Sequence, residues 1–239
     1  MNCVQGQINQ LEELQNSWRK EELHKNEVFN FDGIVDSEQW EEVENKKILF
    51  LLKEAHHKNI TCKEYSDKYK TTDYCLTSDL RKNGPWKMWL KVAEWAYAIR
   101  ETNTDKLANF SEYCDGYAGW EKQNEIIRQI SVVNLKKSAG TPSSDNDNLA
   151  TYLNKDKTKL FDQISIIDPQ IIVCGSTFKF FKESVGADSI SERNDNWFYF
   201  WKDKIVIDFY HPANQFPKLM NFYSLAAIYQ RALIAKNKY

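Results

Sequence analysis

Four short, nearly uninterrupted apolar runs constrain this chain most. They are Lys47–Leu52 (KILFLL), Ile130–Leu135 (ISVVNL), Gln170–Cys174 (QIIVC) and Lys204–Phe209 (KIVIDF). Each is too short for a helix that must bury itself, and none alternates apolar with polar as a half-exposed strand does. Runs of this kind are strands buried on both faces, which is the pattern of parallel sheets. A parallel sheet needs a crossover segment between strands, so the intervening sequence should be helical.

The intervening sequence agrees. Residues 8–24 place Leu11, Leu14, Trp18 and Leu23 on one helical side, and Asp36–Glu44 reads as a short acidic helix. Gly84-Pro85 opens a helix that is apolar on several sides, through Trp86, Trp89, Leu90, Val92, Ala93, Trp95 and Ala96. Asn109–Ile127 is partly helical. Ala150–Ile167 is amphipathic and stops at Asp168-Pro169. Phe178–Glu183 and Lys218–Ala235 are further helices, and Trp197–Trp201 forms a hairpin with Lys204–Phe209 across Lys202-Asp203. Residues 58–83 are polar and aperiodic, and Gly140–Asn148 reads as a loop. The expected architecture is α/β: residues 1–45 as a helical extension packed on one domain spanning 46–239.

Composition narrows the class. Among 239 residues, 32 Lys+Arg face 34 Asp+Glu, so any polyanion must be met by a local basic rim rather than a basic whole. No apolar run approaches the ~20 residues of a membrane helix, and MNCVQGQINQ lacks the apolar core of a signal peptide. A cytoplasmic protein with no membrane contact is expected. The five cysteines contain no C-x-x-C, so no zinc or iron–sulfur spacing can be drawn. Aromatics are abundant at 14%, suiting either core packing or stacking platforms.

In a doubly wound sheet, ligands bind beyond the carboxyl ends of the strands. Those ends carry Lys53, Glu54, His56 and His57 after the first run; Asn134, Lys136 and Lys137 at the second; Gly175 and Ser176 after the third; and His211, Pro212 and Asn214 after the fourth. Taken singly, each has an ordinary role: a solvated carboxylate, a turn cap, a strand-ending turn. His56 and His57 are adjacent on an extended segment and point apart, with no clear third ligand, so no metal is expected. Taken in order, the residues supply acid–base groups and an amide at one edge.

The strings ILFLLKEAHH, VVNLKK, DPQIIVCGS and IDFYHPAN, in this order, resemble the uracil-DNA glycosylase superfamily over residues 46–235. They are closest to bacterial branches whose first motif is Gly-Glu-Ala-Pro-Gly. The resemblance implies a three-layer α/β/α sandwich with a central four-stranded parallel sheet ordered 2-1-3-4, and hydrolysis of a base–deoxyribose bond in DNA without a cofactor. It maps Glu54, with His56 and His57 as alternatives, onto the water-handling position. Asn134 maps onto the residue reading the flipped base, and His211 onto the residue stabilising the departing base. Asn214, Gln215 and Phe216 map onto the loop entering DNA. Trp86 is the favoured stacking aromatic, with Tyr69 and Tyr74 as competitors. Lys53, Lys58, Lys136 and Lys137 lie near the mouth and would meet phosphates.

The departures shape the expected substrate. Lys53 replaces the motif's glycine, His56-His57 replace its Pro-Gly, and the iron–sulfur cysteines of some branches are missing. Uracil or a modified pyrimidine is therefore the expected base, in single- or double-stranded DNA, by a monomer. The biological setting would be repair or defence against phage DNA bearing hypermodified bases. Two readings from other classes stand beside it: a non-catalytic DNA-binding module, and a hydrolase of free nucleosides.

Overall fold

The structure is a computed structural model that describes residues 3–25, 27–43, 46–56, 73–140, 145–191 and 197–237. The chain begins with helix α1 (Cys3–Arg19), two short strands β1 (Phe29–Phe31) and β2 (Gly33–Ile34), and helix α2 (Ser37–Glu42). Strand β3 (Ile48–His56) follows, then β4 (Asp73–Cys75) and helices α3 (Leu76–Asn83), α4 (Met88–Glu101), α5 (Phe110–Gly116) and α6 (Trp120–Arg128). Next come β5 (Ser131–Gly140), α7 (Asn146–Ile167), β6 (Ile171–Gly175) and α8 (Phe178–Val185). The antiparallel strands β7 (Ile190–Ser191), β8 (Phe198–Trp201) and β9 (Lys204–Phe209) precede the closing helix α9 (Lys218–Lys236).

The apolar runs are the centre of the sheet. β5, β3, β6 and β9 lie side by side and parallel. Numbered along the chain, these four strands take the order 2-1-3-4. Their successive side chains enter two separate cores, which is why the runs are apolar without alternation. Ile48, Phe50, Leu52, Val132, Val173 and Ile207 pack with α3, α4, α6 and α9 on one face. Leu49, Leu51, Val133, Ile172 and Val206 pack with α1, α7 and α8 on the other.

The sheet is larger than the expected four strands: nine are present among the described residues, and the sheet is mixed. One reason is the hairpin of β8 on β9, which turns through Lys202 at φ 54°. The other is the N-terminal region. β1 and β2 pair antiparallel with β5, and β4 pairs with β1. Residues 1–45 are thus part of the sheet as well as helical, and they seal an edge that would otherwise be open to strand pairing. Trp18 and Trp40 from this region are fully buried.

Other boundaries differ for local reasons. Gly84-Pro85 precedes the long apolar helix rather than opening it; α4 starts at Met88, after Lys87 at φ 47°. Within the polar segment 58–83, residues 73–83 form β4 and α3, where only Leu76 and Leu80 bury an apolar face. α7 begins under an N-cap: the Asp145 carboxylate accepts from the Asp147 and Asn148 amides. Among the described residues no helix is long and apolar enough to cross a membrane.

Candidate active site

Strand register places the expected residues at one edge. Leu52 pairs with Asn134, Leu51 with Cys174, and Gly175 with Phe209. Asn134, Leu52, Gly175 and Phe209 therefore form one row across the four parallel strands. Glu54, paired with Lys136, stands two residues beyond that row, and His211 follows Phe209 by two. With strands about 4.8 Å apart, β3 and β9 are separated by roughly 10 Å; Asn134 sits roughly 7 Å below the level of Glu54. The chain leaves β3 toward β5 on one side, and β6 leads to β9 on the other.

Glu54 is held from two directions. Lys136 Nζ lies 3.4 Å from its Oε2, and the side chain is 5% exposed. Its Oε1 is buried and has no hydrogen-bond partner among the described residues. Lys136 also sits 4.8 Å over the Tyr152 ring, whose hydroxyl donates to the Glu27 carboxylate at 2.8 Å. Lys136 is therefore inside the site, neutralising Glu54. The space for the Glu54 carboxyl group exists because residue 140 is glycine. A Cβ there would stand 2.2 Å from Cδ and 2.6 Å from Oε1 of Glu54.

His211 is fixed by the turns around it. Its backbone N–H donates to Ser176 Oγ at 3.0 Å, and its Nδ1 accepts from the Ala213 amide at 3.2 Å. Nε2 therefore carries the ring proton. Burial, with the positive charges of Lys53 and Lys91, holds the imidazole below its ordinary pKa, so it is neutral at pH 7. Ser176 takes φ 57° and its amide donates to the Phe209 carbonyl at 2.8 Å. A serine in the left-handed region is uncommon and is paid for by packing. Gly175 beside it admits Pro212: a Cβ there would meet Leu52 Cδ2 at 2.7 Å and Pro212 Cδ at 3.3 Å.

Asn214 is half-buried and bonded within its own loop. Its amide and Nδ2 donate to the His211 carbonyl at 2.9 and 2.8 Å, and its Oδ1 accepts from Phe216 N–H and Asn221 Nδ2. Lys91 Nζ donates to its carbonyl at 2.6 Å. This residue is the hub that shapes the loop, because each of its polar groups finds a partner, from His211, Phe216 and Asn221 nearby and from Lys91 on α4. Gln215 and Phe216 remain exposed at the loop tip.

Asn134 and Lys137 are both drawn inward by Asp32, which the sequence did not single out. Asp32 Oδ2 accepts from the Asn134 amide at 2.8 Å and from its Nδ2 at 3.2 Å; Oδ1 accepts from Lys137 Nζ at 2.6 Å and Gln163 Nε2 at 2.8 Å. Lys137 is 0% exposed, so its assignment to DNA phosphates is corrected: it neutralises Asp32 inside the fold. Burial lowers its pKa against the opposing pull of Asp32. Asn134 is also buried, on β5, with its Nδ2 held by Asp32.

The remaining residues divide. Lys53 reaches Asn146 Oδ1 at 3.3 Å and acts electrostatically on His211. Trp86 is half-buried, 6.4 Å from Trp89 in an edge-to-face contact. Tyr74 donates to Asp79 at 2.5 Å. His56 ends β3 opposite Gly140, but its side chain, with His57, Lys58 and Tyr69, lies outside the described residues. Among the described residues no three His, Cys, Asp or Glu side chains converge as a metal site. Glu94 on α4 is a further titratable group: burial raises it to about 7 against the pull of Lys218 and Lys91. Its sequence signal was weak, a single acid inside an apolar helix. Compared with protein-family models the chain matches none, and no curated protein matches it.

Proposed function

We propose that this chain is a DNA glycosylase of the uracil-DNA glycosylase type, hydrolysing the N-glycosidic bond of a uracil or modified pyrimidine extruded from DNA. The observation that carries the reading is His211: a neutral imidazole, its Nδ1 occupied by Ala213 N–H, on the same sheet edge as the Glu54 oxygen that has no partner among the described residues. The 2-1-3-4 order of the parallel strands also supports it.

The chemistry follows from charge. The C1′–N bond breaks with its electron pair moving to the base, leaving an oxocarbenium-like sugar. Glu54 stabilises that positive charge and takes a proton from the water that attacks C1′. His211 Nε2–H donates to the base oxygen where negative charge grows, and Lys53 and Lys91 add a favourable field. The departing base then takes up a proton from solvent. Asn134, oriented by Asp32, would meet the base edge. Extrusion costs a few kcal/mol and is least costly for an unpaired or mismatched base.

Oligonucleotides carrying uracil or modified cytosines, followed by alkaline cleavage at abasic sites, test this. We expect strand breaks for at least one base, slowed about 100-fold or more by His211→Ala. No abasic product on any base, combined with salt-sensitive DNA binding, would replace the reading with that of a binding module. The acid limb of the pH–rate profile should lie below the ordinary histidine pKa, because burial, Lys53 and Lys91 disfavour the imidazolium, whose protonated Nδ1 could no longer accept from the Ala213 amide. Removing a nearby cation raises a histidine pKa, so Lys53→Gln should move that limb to higher pH. An unshifted limb would remove His211 as the titrating group.

A further inference from the structure

The rim of the His211 loop carries an unusual surface. Trp197, Tyr210 and Phe216 are 43%, 38% and 48% exposed, although each is large and apolar. They form a continuous ladder, with ring centroids 5.7 Å apart from Trp197 to Tyr210 and 4.8 Å from Tyr210 to Phe216. Successive planes are turned by 56° and 65°, and the spacing is too small to sandwich a base between two rings. A flat partner would therefore meet the ladder from outside, chiefly at Trp197 and Phe216, because Tyr210 between them also packs on Phe209 at 5.3 Å.

Lysines flank this ladder. Lys53 from β3 and Lys91 from α4 are both close enough to lower the pKa of His211, the residue next to Tyr210. Lys218, exposed at the start of α9, follows Phe216 by two residues and acts on Lys91. Protein interfaces deplete lysine at their centres. Exposed aromatics interleaved with amines fit a chain of flat bases on a phosphate backbone. In a duplex the base faces are covered by their neighbours, so three rings in a row would find few surfaces to stack on.

We infer that Trp197, Tyr210 and Phe216 form a stacking track for single-stranded DNA beside the base extruded toward His211. The track extends the DNA reading above, but it is tested without any scissile base. Full-length protein is titrated with a fluorescein-labelled thymidine homopolymer and, separately, with a duplex containing only the four ordinary bases. Fluorescence anisotropy should show at least tenfold tighter binding of the single strand. Trp197→Ala and Phe216→Ala should each weaken it roughly five- to a hundredfold, with the duplex little affected. Trp197→Phe should retain most of the affinity, separating loss of a ring from loss of folding, and circular dichroism checks each variant. Equal affinity for duplex and single strand, or folded alanine variants that bind like the parent, would overturn the track. A lack of abasic product on modified bases would instead overturn only the glycosylase reading.

Discussion

Asp32→Ala is expected to destabilise the protein by about 3–5 kcal/mol, the usual cost of leaving one member of a buried ion pair alone. Asp32 is the acceptor for four buried donors: Lys137 Nζ, Gln163 Nε2, and the amide and Nδ2 of Asn134. Alanine leaves the Lys137 ammonium 0% exposed without its nearest counter-charge, so it must lose its proton or admit water. The Asn134 N–H also loses its acceptor at the junction where β1 and β2 pair with β5. Asp32→Ala combined with Lys137→Met should recover a large part of the loss, because the uncompensated charge is then gone. Urea unfolding of the parent, the single variants and the double variant measures these terms. A loss below about 1 kcal/mol for Asp32→Ala would contradict the described network.

Gly140→Ala should cut activity on the best DNA substrate by about 100-fold, the scale of an ångström-sized misplacement of a reacting group. The added methyl would stand 2.2 Å from Glu54 Cδ, well inside contact distance. The Glu54 carboxylate must then swing away from the position where Lys136 neutralises it. Single-turnover rates at saturating DNA isolate this effect from binding. A rate within threefold of the parent would mean that Glu54 does not act from the position seen here.

Particular residues explain what the sequence revealed and what it concealed. Ile48–Leu52 announced a doubly buried strand because burial on both faces removes any alternation, and the same pattern exposed the strand ends where Glu54 and His211 lie. The continuation of β5 through Lys136, Lys137 and Ser138 was hidden, since a polar string reads as a loop when its partner is unknown. Gly140 likewise looked like the start of that loop, whereas its register opposite His56 makes it a seat for Glu54. β1 and β2 hold five residues between them and carry too little pattern to stand out. Asp32 sits in the bend between them, and its role depends on side chains more than 100 residues away, at Asn134, Lys137 and Gln163. Sequence separation of that size leaves no periodic trace. That Asn214 ties its own loop together was not legible, because an asparagine that caps a turn and one that meets DNA have the same local signature.

If Glu54 and His211 act together on one glycosidic bond, free base must leave modified DNA in step with the abasic sites formed, both quantified by mass spectrometry in the same reaction. Equal amounts of both products are expected from the parent, with Glu54→Gln and His211→Ala, each folded and still bound to DNA, releasing base at least 100-fold more slowly. Release at the parent rate by either variant, or no release by the parent from any modified pyrimidine, would contradict that joint action.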